Sequence, residues 1–380
     1  MRIDFVITEL FVGGAERCLT EVATGLADSG DDVRVFSLGS LPEGEKATLV
    51  ERLEASGISV ESGNADSLSQ SLSAYLQLQK WLRESPPELC QTFLYHANVL
   101  GTRAAKSSGV PVRVSAIRVA ESNALRCKLE GFVLRDCHST LCVSEAVRAF
   151  ALSKLKCPAD SLTVIPNGVD VSRFSTAAPF DWTTVGWPSD SAVALFVGRL
   201  HPQKGIEHLQ RQIDRIAPSG SPHRLMIVGD GPLRNQLQSW ADQVGSDRVQ
   251  LLGWQRSIPE LMAASRLVVL PSHYEGMPNV VLEAMAAGKP VVASRVEGSD
   301  ELLQRYAEAQ GFVPGDDTTM ADLIQRFLVD KSHAAEVGEA NQEFVRSQFS
   351  TAAMVDAYRA HYRRLCDRRL EVDWLRESGR

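Results

Sequence analysis

Residues 1–38, MRIDFVITELFVGGAERCLTEVATGLADSGDDVRVFSL, decide the fold class. The apolar run RIDFVI predicts a short buried strand, and ELFVGG predicts a loop. Apolar residues then recur at helical spacing over 15–27, and VRVFSL predicts a second strand. A strand, a glycine loop, a helix and a strand in this order begin a doubly wound α/β sheet.

The same alternation continues along the chain and predicts two such domains. Further strands are predicted at LCQTFL, VRVSAI, TLCVS and LTVIP in residues 1–170, and at ALFVG, RLMIVG, RVQLLG, RLVVLPS and PVVAS in residues 191–350. Residues 171–190 lack clear periodicity and predict a linker. A length of 380 residues also fits two domains better than one. Because ligands of doubly wound sheets bind at the carboxyl ends of the strands, we expect a ligand cleft between the domains.

The overall composition excludes several classes of protein. The 44% of hydrophobic and 23% of charged residues are typical of a soluble globular chain, and a net charge of −7 argues against a nucleic-acid binder. About 18 consecutive apolar residues, as a membrane span needs, occur nowhere, so we expect a cytoplasmic protein. The 7 cysteines include no C-x-x-C pair, which argues against a disulfide framework or a zinc site.

One region is locally basic, because residues 101–160 contain ten Lys or Arg and five Asp or Glu. A solvated protein face and a contact with an anionic membrane both account for this excess.

Two cations follow a predicted strand in ALFVGRLHPQKGIEHL. Arg199 and Lys204 lie five residues apart beside Gly198 and Gly205. A guanidinium can hold phosphate oxygens in a fork and an ammonium adds a point charge, so the pair suits a diphosphate. An ordinary basic surface turn is the alternative.

The sequence GGAER, residues 13–17, opens the first helix. Gly13 and Gly14 allow close approach of the backbone, and a helix N-terminus attracts an anion. A tight strand-to-helix turn is the alternative. The spacing is not G-x-G-x-x-G, so a dinucleotide site is unsupported.

The stretch HYEGMPNVVLEAMAAGKP places two carboxylates at one end of a helix. Asn279 is the predicted N-cap of a helix over 280–287, which Gly288 ends. Glu275 and Glu283 then both lie near the N-terminus of this helix, where carboxylates can accept hydrogen bonds from sugar hydroxyls. Favourable acids at a helix start are the alternative. His96, after the predicted strand LCQTFL, is either structural or part of a site.

These motifs occur in a familiar order. IPNGVD, FVGRLHPQKG, IVGDGPLR and EGMPNVVLEAMAAGKPVVAS together resemble the retaining glycosyltransferases of family 4. The resemblance covers nearly the whole chain and includes GGAER and YHANVLG. It implies the GT-B fold, with two Rossmann-like domains facing a central interdomain cleft and the final helix, 351–380, returning to the N-terminal domain. The chain departs from the family after PVVAS, where VEGSDELL has a single glycine, Gly298.

The resemblance implies transfer of a glycosyl group from a nucleotide sugar to an acceptor hydroxyl, with retention, in polysaccharide, glycolipid or glycoconjugate biosynthesis. Arg199 and Lys204 match the diphosphate-binding pair, Glu283 the ligand of the donor ribose, and Glu275 the residue facing the donor sugar. The other implied positions are the glycine loop at the distal phosphate (Gly13, Gly14), the histidine near the reacting sugar (His96), and backbone groups toward the sugar and phosphates (Gly276, Met277, Pro278, Asn279).

The implied co-substrate is a UDP-sugar, with a GDP-sugar as the alternative, and no cofactor is expected. We also expect no metal, because the adjacent pairs Asp31-Asp32 and Asp316-Asp317 are typical of loop acids and no suitable D-x-D is present. The expected acceptor is a sugar, a lipid-linked molecule or a small molecule.

Contact with the inner face of a membrane is a further hypothesis, in which Arg359, Arg363 and Arg364 extend the basic region. Two other functions stay open. One is a nucleotide-sugar epimerase of related architecture. The other is a non-catalytic sugar-nucleotide binding protein, which the presence of Arg199, Lys204, Glu275 and Glu283 disfavours.

Overall fold

A computed structural model of the chain describes residues 1–120, 123–303 and 306–377. Contacts divide the chain into two units. Unit 1 contains Met1–Asn167 and Thr351–Arg380, and unit 2 contains Gly168–Ser350. Each unit has its own parallel sheet and its own buried apolar core. The fold is therefore two Rossmann-like domains, as predicted.

Among the described residues, the strands are β1 (Arg2–Ile7), β2 (Asp32–Ser37), β3 (Ser59–Ser62), β4 (Leu89–Phe93), β5 (Val112–Ile117), β6 (Ser139–Cys142), β7 (Leu162–Val164), β8 (Ala192–Val197), β9 (His223–Val228), β10 (Val249–Gly253), β11 (Leu267–Leu270), β12 (Val291–Ser294) and β13 (Gly311–Phe312).

The α-helices of the same part of the chain are α1 (Gly14–Asp28), α2 (Thr48–Ala55), α3 (Ser71–Glu84), α4 (Tyr95–Ser107), α5 (Ala124–Leu134), α6 (Glu145–Phe150), α7 (Val171–Ser175), α8 (Ile206–Arg211), α9 (Ile213–Ile216), α10 (Arg234–Val244), α11 (Ile258–Ala264), α12 (Asn279–Ala286), α13 (Glu297–Leu303), α14 (Ala307–Gln310), α15 (Asp317–Val329), α16 (Lys331–Gln348) and α17 (Thr351–Glu377).

The strand order of each sheet determines where a ligand can bind. The described strands of unit 1 run β3-β2-β1-β4-β5-β6-β7 and those of unit 2 run β10-β9-β8-β11-β12-β13, all parallel. The direction of the order therefore reverses between β1 and β4 in unit 1 and between β8 and β11 in unit 2. Doubly wound sheets bind ligands outside the carboxyl ends of the strands at this reversal.

The sequence patterns missed two short edge strands. β3 alternates exposed and half-buried residues and has the sequence SVES, which lacks an apolar run. β13 contains only Gly311 and Phe312. Both strands pair with a neighbouring strand of their sheet, so tertiary pairing forms them where local propensity is weak.

The predicted linker, 171–190, contains structure that packs within unit 2. It begins with α7, which contacts α11 and α12, and it buries Trp182 and Trp187 almost completely. The Trp187 indole nitrogen donates to the Ser246 carbonyl over 2.7 Å. These contacts assign the stretch to unit 2, while the predicted functional boundaries of the domains stay a prediction.

The last helix belongs to unit 1. α17 packs along α1, where a Cβ on Gly25 would lie 2.7 Å from a methyl group of Val355. Tyr358 and Tyr362 are fully buried in the core of unit 1. The glycine on α1 therefore lets the two helices approach closely.

Candidate functional site

In unit 2, the loop after β8 forms a turn that positions Lys204. Residues Pro202–Lys204 form one turn of 3-10 helix, capped by His201 Nδ1, which accepts from the Gln203 backbone N–H over 3.2 Å. Gly205 follows at φ +62°, and a Cβ there would lie 2.0 Å from the Pro271 carbonyl oxygen. Glycine is required at this position, because both the dihedral angle and the close approach exclude a side chain.

Lys204 makes an ion pair with Glu275. The distance from its Nζ to Glu275 Oε1 is 2.6 Å, and Ser272 Oγ donates to the same oxygen over 2.6 Å. The side chains of Lys204 and Glu275 are only 19% and 8% exposed. Since little water reaches the pair, the attraction is stronger than in a surface ion pair and holds both groups in one geometry.

The two loops that carry this pair are also joined through Gln203. Its side-chain nitrogen donates to the Tyr274 carbonyl over 3.0 Å, and its own carbonyl accepts from the His273 N–H over 2.8 Å. The loops after β8 and β11 therefore form one hydrogen-bonded unit at the reversal of the sheet.

Arg199 differs from Lys204. Its side chain is exposed and has no hydrogen-bond or ion-pair partner among the residues that the structure describes. Of the two predicted diphosphate ligands, one is thus already paired with Glu275, and the other presents an uncompensated positive charge. Arg199 is therefore free to form an ion pair with an anion that binds at this loop.

Helix α12 carries Glu283, which is buried to 7% exposure. The predicted N-cap was wrong by one residue, since Asn279 is the first residue of α12 and Pro278 precedes it as the cap. Pro278 has no side-chain acceptor and cannot cap the helix by a hydrogen bond. Its ring instead fixes φ at −76°, which orients the backbone for the start of α12. Gly288 follows the helix at φ +68°, which confirms the predicted C-terminal glycine.

Gly298 contacts the predicted sugar loop, and the sequence patterns gave it no role. A Cβ on Gly298 would lie 1.8 Å from the Gly276 carbonyl oxygen and 2.8 Å from the Met277 Cα. The neighbouring Glu297 accepts from the Glu275 N–H over 3.4 Å. The start of α13 thus supports residues 275–277 through the close approach of Gly298 and the hydrogen bond to Glu297.

In unit 1, the predicted glycine loop starts α1 after β1. Gly13 is the N-cap and Gly14 the first helical residue. Glu16 folds back toward the helix start, because its Oε2 would lie 2.3 Å from a Cβ on Gly13. The positive end of the helix therefore already has a carboxylate beside it, a feature that the sequence patterns did not predict.

His96 lies in the first turn of α4, after β4. The residue before the helix, Leu94, has φ +73°, a strained value for a residue with a side chain. The imidazole is exposed and packs edge-on against Tyr95 at 5.2 Å between ring centroids. The Ala97 N–H donates to Thr8 Oγ1 over 3.3 Å, which ties this turn to the loop after β1.

Arg118 is a second feature that the patterns missed. It follows β5, is buried to 9% exposure, and donates to Asn167 Oδ1 of the IPNGVD stretch after β7. Buried arginines need such partners. Its position directly after a predicted strand could have marked Arg118 as a candidate site residue. It was instead counted only as part of the basic excess of residues 101–160.

The two adjacent acid pairs are engaged in structural contacts. Asp31 pairs with the N-terminal amine over 2.9 Å and with Arg359 Nε over 3.1 Å. Asp316 caps α15, and its hydrogen bonds from Thr319 lower the pKa of its carboxyl. Asp317 pairs with Arg211 Nε over 2.6 Å. These acids therefore act as partners and caps within each unit.

Within the described part of the chain, no helix combines the length and the apolar character that crossing a membrane requires.

Profiles of two protein families match most of the sequence. The profile of glycosyl transferases group 1 matches residues 183–344, and that of Glycosyltransferase Family 4 matches residues 12–173.

Individual proteins are similar over much of their length. The UDP-Gal:alpha-D-GlcNAc-diphosphoundecaprenol alpha-1,3-galactosyltransferase of Escherichia coli is 29% identical over 262 residues, 65% of this chain and 67% of that protein. The 2-deoxystreptamine glucosyltransferase of Streptomyces kanamyceticus is 26% identical over 315 residues, 77% of this chain and 81% of that protein. The crystal structure of HepE from Anabaena in complex with UDP is similar with a TM-score of 0.79 and 25% identity, covering 95% of this chain and 99% of HepE.

Proposed function

The chain belongs to the group 1 glycosyltransferases of family 4, and from this premise we propose the reaction that it catalyses. It transfers a hexosyl group from a UDP-sugar to an acceptor hydroxyl, with retention of the anomeric configuration, in the biosynthesis of a polysaccharide or other glycoconjugate. The observation that carries the proposal is the Lys204–Glu275 pair, held at 2.6 Å at the reversal of a parallel sheet.

In the proposed reaction, Arg199 and Lys204 bind the diphosphate and stabilise the negative charge that develops as it leaves. Glu275 faces the transferred sugar, Glu283 accepts from the ribose hydroxyls, and the backbone of 276–279 lines the sugar and phosphates. The leaving diphosphate itself takes the proton of the attacking hydroxyl on the same face of the sugar. Catalysis then depends on positioning and on charge stabilisation, without a metal at the phosphates.

In unit 1, we propose that Gly13 and Gly14 approach the distal phosphate and that His96 lies near the reacting sugar. Glu16 would then have to move away from Gly13, because two anions compete for one helix N-terminus.

The proposed donor rests on the named relatives. The E. coli relative is named for UDP-galactose, and the Anabaena structure is a complex with UDP. A thermal-shift series with UDP, GDP and their sugars tests this choice, since a ligand at about 100 times its Kd adds about 2.7 kcal/mol of stability. If GDP stabilises the protein and UDP does not, the proposed donor is a GDP-sugar and not a UDP-sugar.

The reaction type is tested by product analysis. Incubation with the stabilising donor and candidate acceptors should release nucleoside diphosphate and give an α-linked product from an α-linked donor. A β-linked product would overturn retention. Formation of an epimerised nucleotide sugar in the absence of an acceptor would indicate an epimerase. Binding of the donor without turnover would indicate a non-catalytic sugar-nucleotide binding protein.

We further propose that the acceptor is lipid-linked and that unit 1 contacts the cytoplasmic face of an anionic membrane. Helix α5 exposes Leu125, Leu129 and Phe132 at helical spacing, with 77%, 45% and 59% exposure. The Arg103 guanidinium lies 5.3 Å from the Phe132 ring centroid, so a cation borders this apolar face. Exposed apolar residues beside cations are typical of helices that lie at a membrane surface.

The basic residues of α17 do not all extend this surface. Arg359, predicted to join the basic region, is engaged with Asp31 and with the Ser29 carbonyl before β2, outside residues 101–160.

A further inference from the structure

Two histidines and a glutamate converge beside the loop that carries Lys204. Glu207 and His208 are on α8, and His273 lies two residues before Glu275. Their ligand atoms all lie within 4.8 Å of one another. His273 Nε2 is 2.7 Å from Glu207 Oε1, and His208 Nε2 is 3.8 Å from the same oxygen.

The geometry points to a site for a divalent transition-metal ion of the zinc class, and we propose that Glu207, His208 and His273 are its three protein ligands. Imidazole nitrogens with one carboxylate form a common ligand set for zinc, which leaves a fourth position for water. Ligand atoms around a tetrahedral zinc lie about 3.3 Å apart, given bonds of about 2.0 Å. The separations of 2.7 Å and 3.8 Å from Glu207 Oε1 lie on either side of this value, and the two imidazole nitrogens lie within 4.8 Å of each other.

His208 is held in the orientation that a metal ligand needs. Its Nδ1 contacts Asp317 Oδ1, and since a carboxylate can only accept, this contact is a hydrogen bond in the tautomer that carries its proton on Nδ1. The lone pair of Nε2 then faces Glu207 and His273. A carboxylate behind a histidine in this way is the usual support of a metal-binding imidazole. Arg211 Nε donates to the other oxygen of Asp317 over 2.6 Å and so fixes the carboxylate. Arg211 Nη2 also lies 2.6 Å from Nδ1, and because a guanidinium only donates, it would bond Nδ1 in the other tautomer; a metal ion at Nε2 would select the bond to Asp317.

The other two ligands are accessible and adjustable. The side chains of Glu207 and His273 are 41% and 44% exposed, and both line a hollow of about 440 Å³ beside α8. Exposed side chains can turn about their χ angles and move their end atoms by about an ångström at little energetic cost, so the three atoms can close around an ion. The ion would link α8 to the segment that leads to Glu275.

Metal binding is tested on the full-length protein after removal of metal with EDTA. Titration with ZnCl₂ alone, followed by calorimetry, should give one ion per chain. Titration with CoCl₂ should give the visible absorption of a tetrahedral ion with nitrogen and oxygen ligands. His273→Ala and Glu207→Gln should each weaken Zn²⁺ binding at least 10-fold, and 10 mM MgCl₂ should not compete.

Asp317 is a positioning residue in this proposal. Asp317→Asn should weaken Zn²⁺ binding 10- to 100-fold while leaving one ion per chain, because it loosens a ligand without removing one. The matched control is His333→Ala, which removes a histidine whose Nδ1 lies 3.9 Å from Glu336 in the same unit. It should leave binding unchanged.

Several outcomes would overturn the proposal. These are no binding at 100 µM ZnCl₂, equal binding by the wild type and His273→Ala, or a thiolate charge-transfer band with Co²⁺, which would indicate a cysteine site. Because His273 and Glu207 are exposed, their variants should melt like the wild type without metal. A Zn²⁺-dependent rise in Tm should then appear in the wild type and be lost in His273→Ala.

Discussion

The two units place their predicted site residues at equivalent strand ends but support them differently. In unit 2, Lys204 and Glu275 pair away from water, and close glycine contacts at Gly205 and Gly298 hold the surrounding backbone. In unit 1, His96 is exposed after a strained Leu94, and the start of α1 is beside the carboxylate of Glu16. The difference indicates that unit 2 holds its predicted site residues in a fixed geometry, whereas the proposed phosphate loop of unit 1 would have to rearrange because Glu16 lies beside Gly13.

The largest expected effect concerns Lys204, in the unit with the fixed geometry. Lys204→Ala should lower kcat/KM about 10²- to 10³-fold, since it removes the cation that we propose at the leaving group and leaves Glu275 buried without that partner. Steady-state kinetics with the confirmed donor measure the effect.

Two variants sharpen this first test. Lys331→Ala removes an exposed lysine of the same unit and should be silent. Arg199→Ala should reduce activity with less effect on stability than Lys204→Ala, because Arg199 is exposed and no buried partner is left behind. Wild-type kinetics in Lys204→Ala would exclude Lys204 from the reaction.

The second effect concerns unit 1, where His361 on α17 accepts or donates a hydrogen bond with Ser139 over 2.9 Å. Burial, and then the charge of Arg364, lower the pKa of His361 from 6.5 to about 4. Between pH 6.5 and about 4, His361 is therefore protonated in the unfolded chain and neutral in the folded chain. Stability falls as the pH drops through this window, by up to about 3 kcal/mol for this group.

His361→Gln should reduce this dependence. The free energy of unfolding, measured by urea titration between pH 7 and 4, should fall less steeply in the variant than in the wild type. Burial also raises the pKa of Asp4 to about 6, which has the opposite effect on stability, but Asp4 is present in both proteins and cancels in the difference. Parallel curves would contradict the lowered pKa.

The third effect concerns the backbone support of unit 2. Gly298→Ala should destabilise the protein by about 1–3 kcal/mol and reduce donor binding, because its Cβ would lie 1.8 Å from the Gly276 carbonyl oxygen. Urea unfolding and a donor thermal shift measure the two effects.

The control for this variant is its neighbour. Ser299 Oγ is buried without a hydrogen-bond partner among the described residues, so Ser299→Ala should be neutral or stabilising. If the two alanine variants were equally stable, residues 275–277 could shift to make room for a side chain at position 298. The backbone of unit 2 would then be less rigid than the comparison of the two units assumes.

The smallest expected effect on stability concerns the exposed face of α5. Leu129→Glu with Phe132→Ser should change the free energy of unfolding by about 0.5 kcal/mol or less, since both side chains are exposed. The same double variant should lose sedimentation with anionic vesicles if unit 1 contacts a membrane. Wild-type binding that does not depend on anionic lipid would contradict this proposal.

Much of the fold could be predicted from the sequence, because buried parallel strands appear as apolar runs. β1, β4 and β5 lie within a residue of their predicted bounds. The short strand β13 and the buried tryptophans of residues 171–190 could not be predicted, since their contacts come from distant parts of the chain.

For the candidate site, the sequence indicated which residues to consider but not whether their side chains are paired or free. It selected Arg199, Lys204 and Glu275 by position, and the roles of these residues stay predictions. It could not show that Lys204 is paired and Arg199 unpaired, because an ion pair between residues 71 positions apart depends on how two loops meet.

The sequence by itself determined the order of strands and helices, the glycines that end them and the family of the chain, because these depend on local periodicity and motif spacing. Only the tertiary structure decided which groups are buried and which are in contact. It brought Gly298 against Gly276, Arg118 to Asn167 and His273 to Glu207. The physical reason is that burial and pairing are properties of side chains from separate loops, which meet only when the sheet has formed.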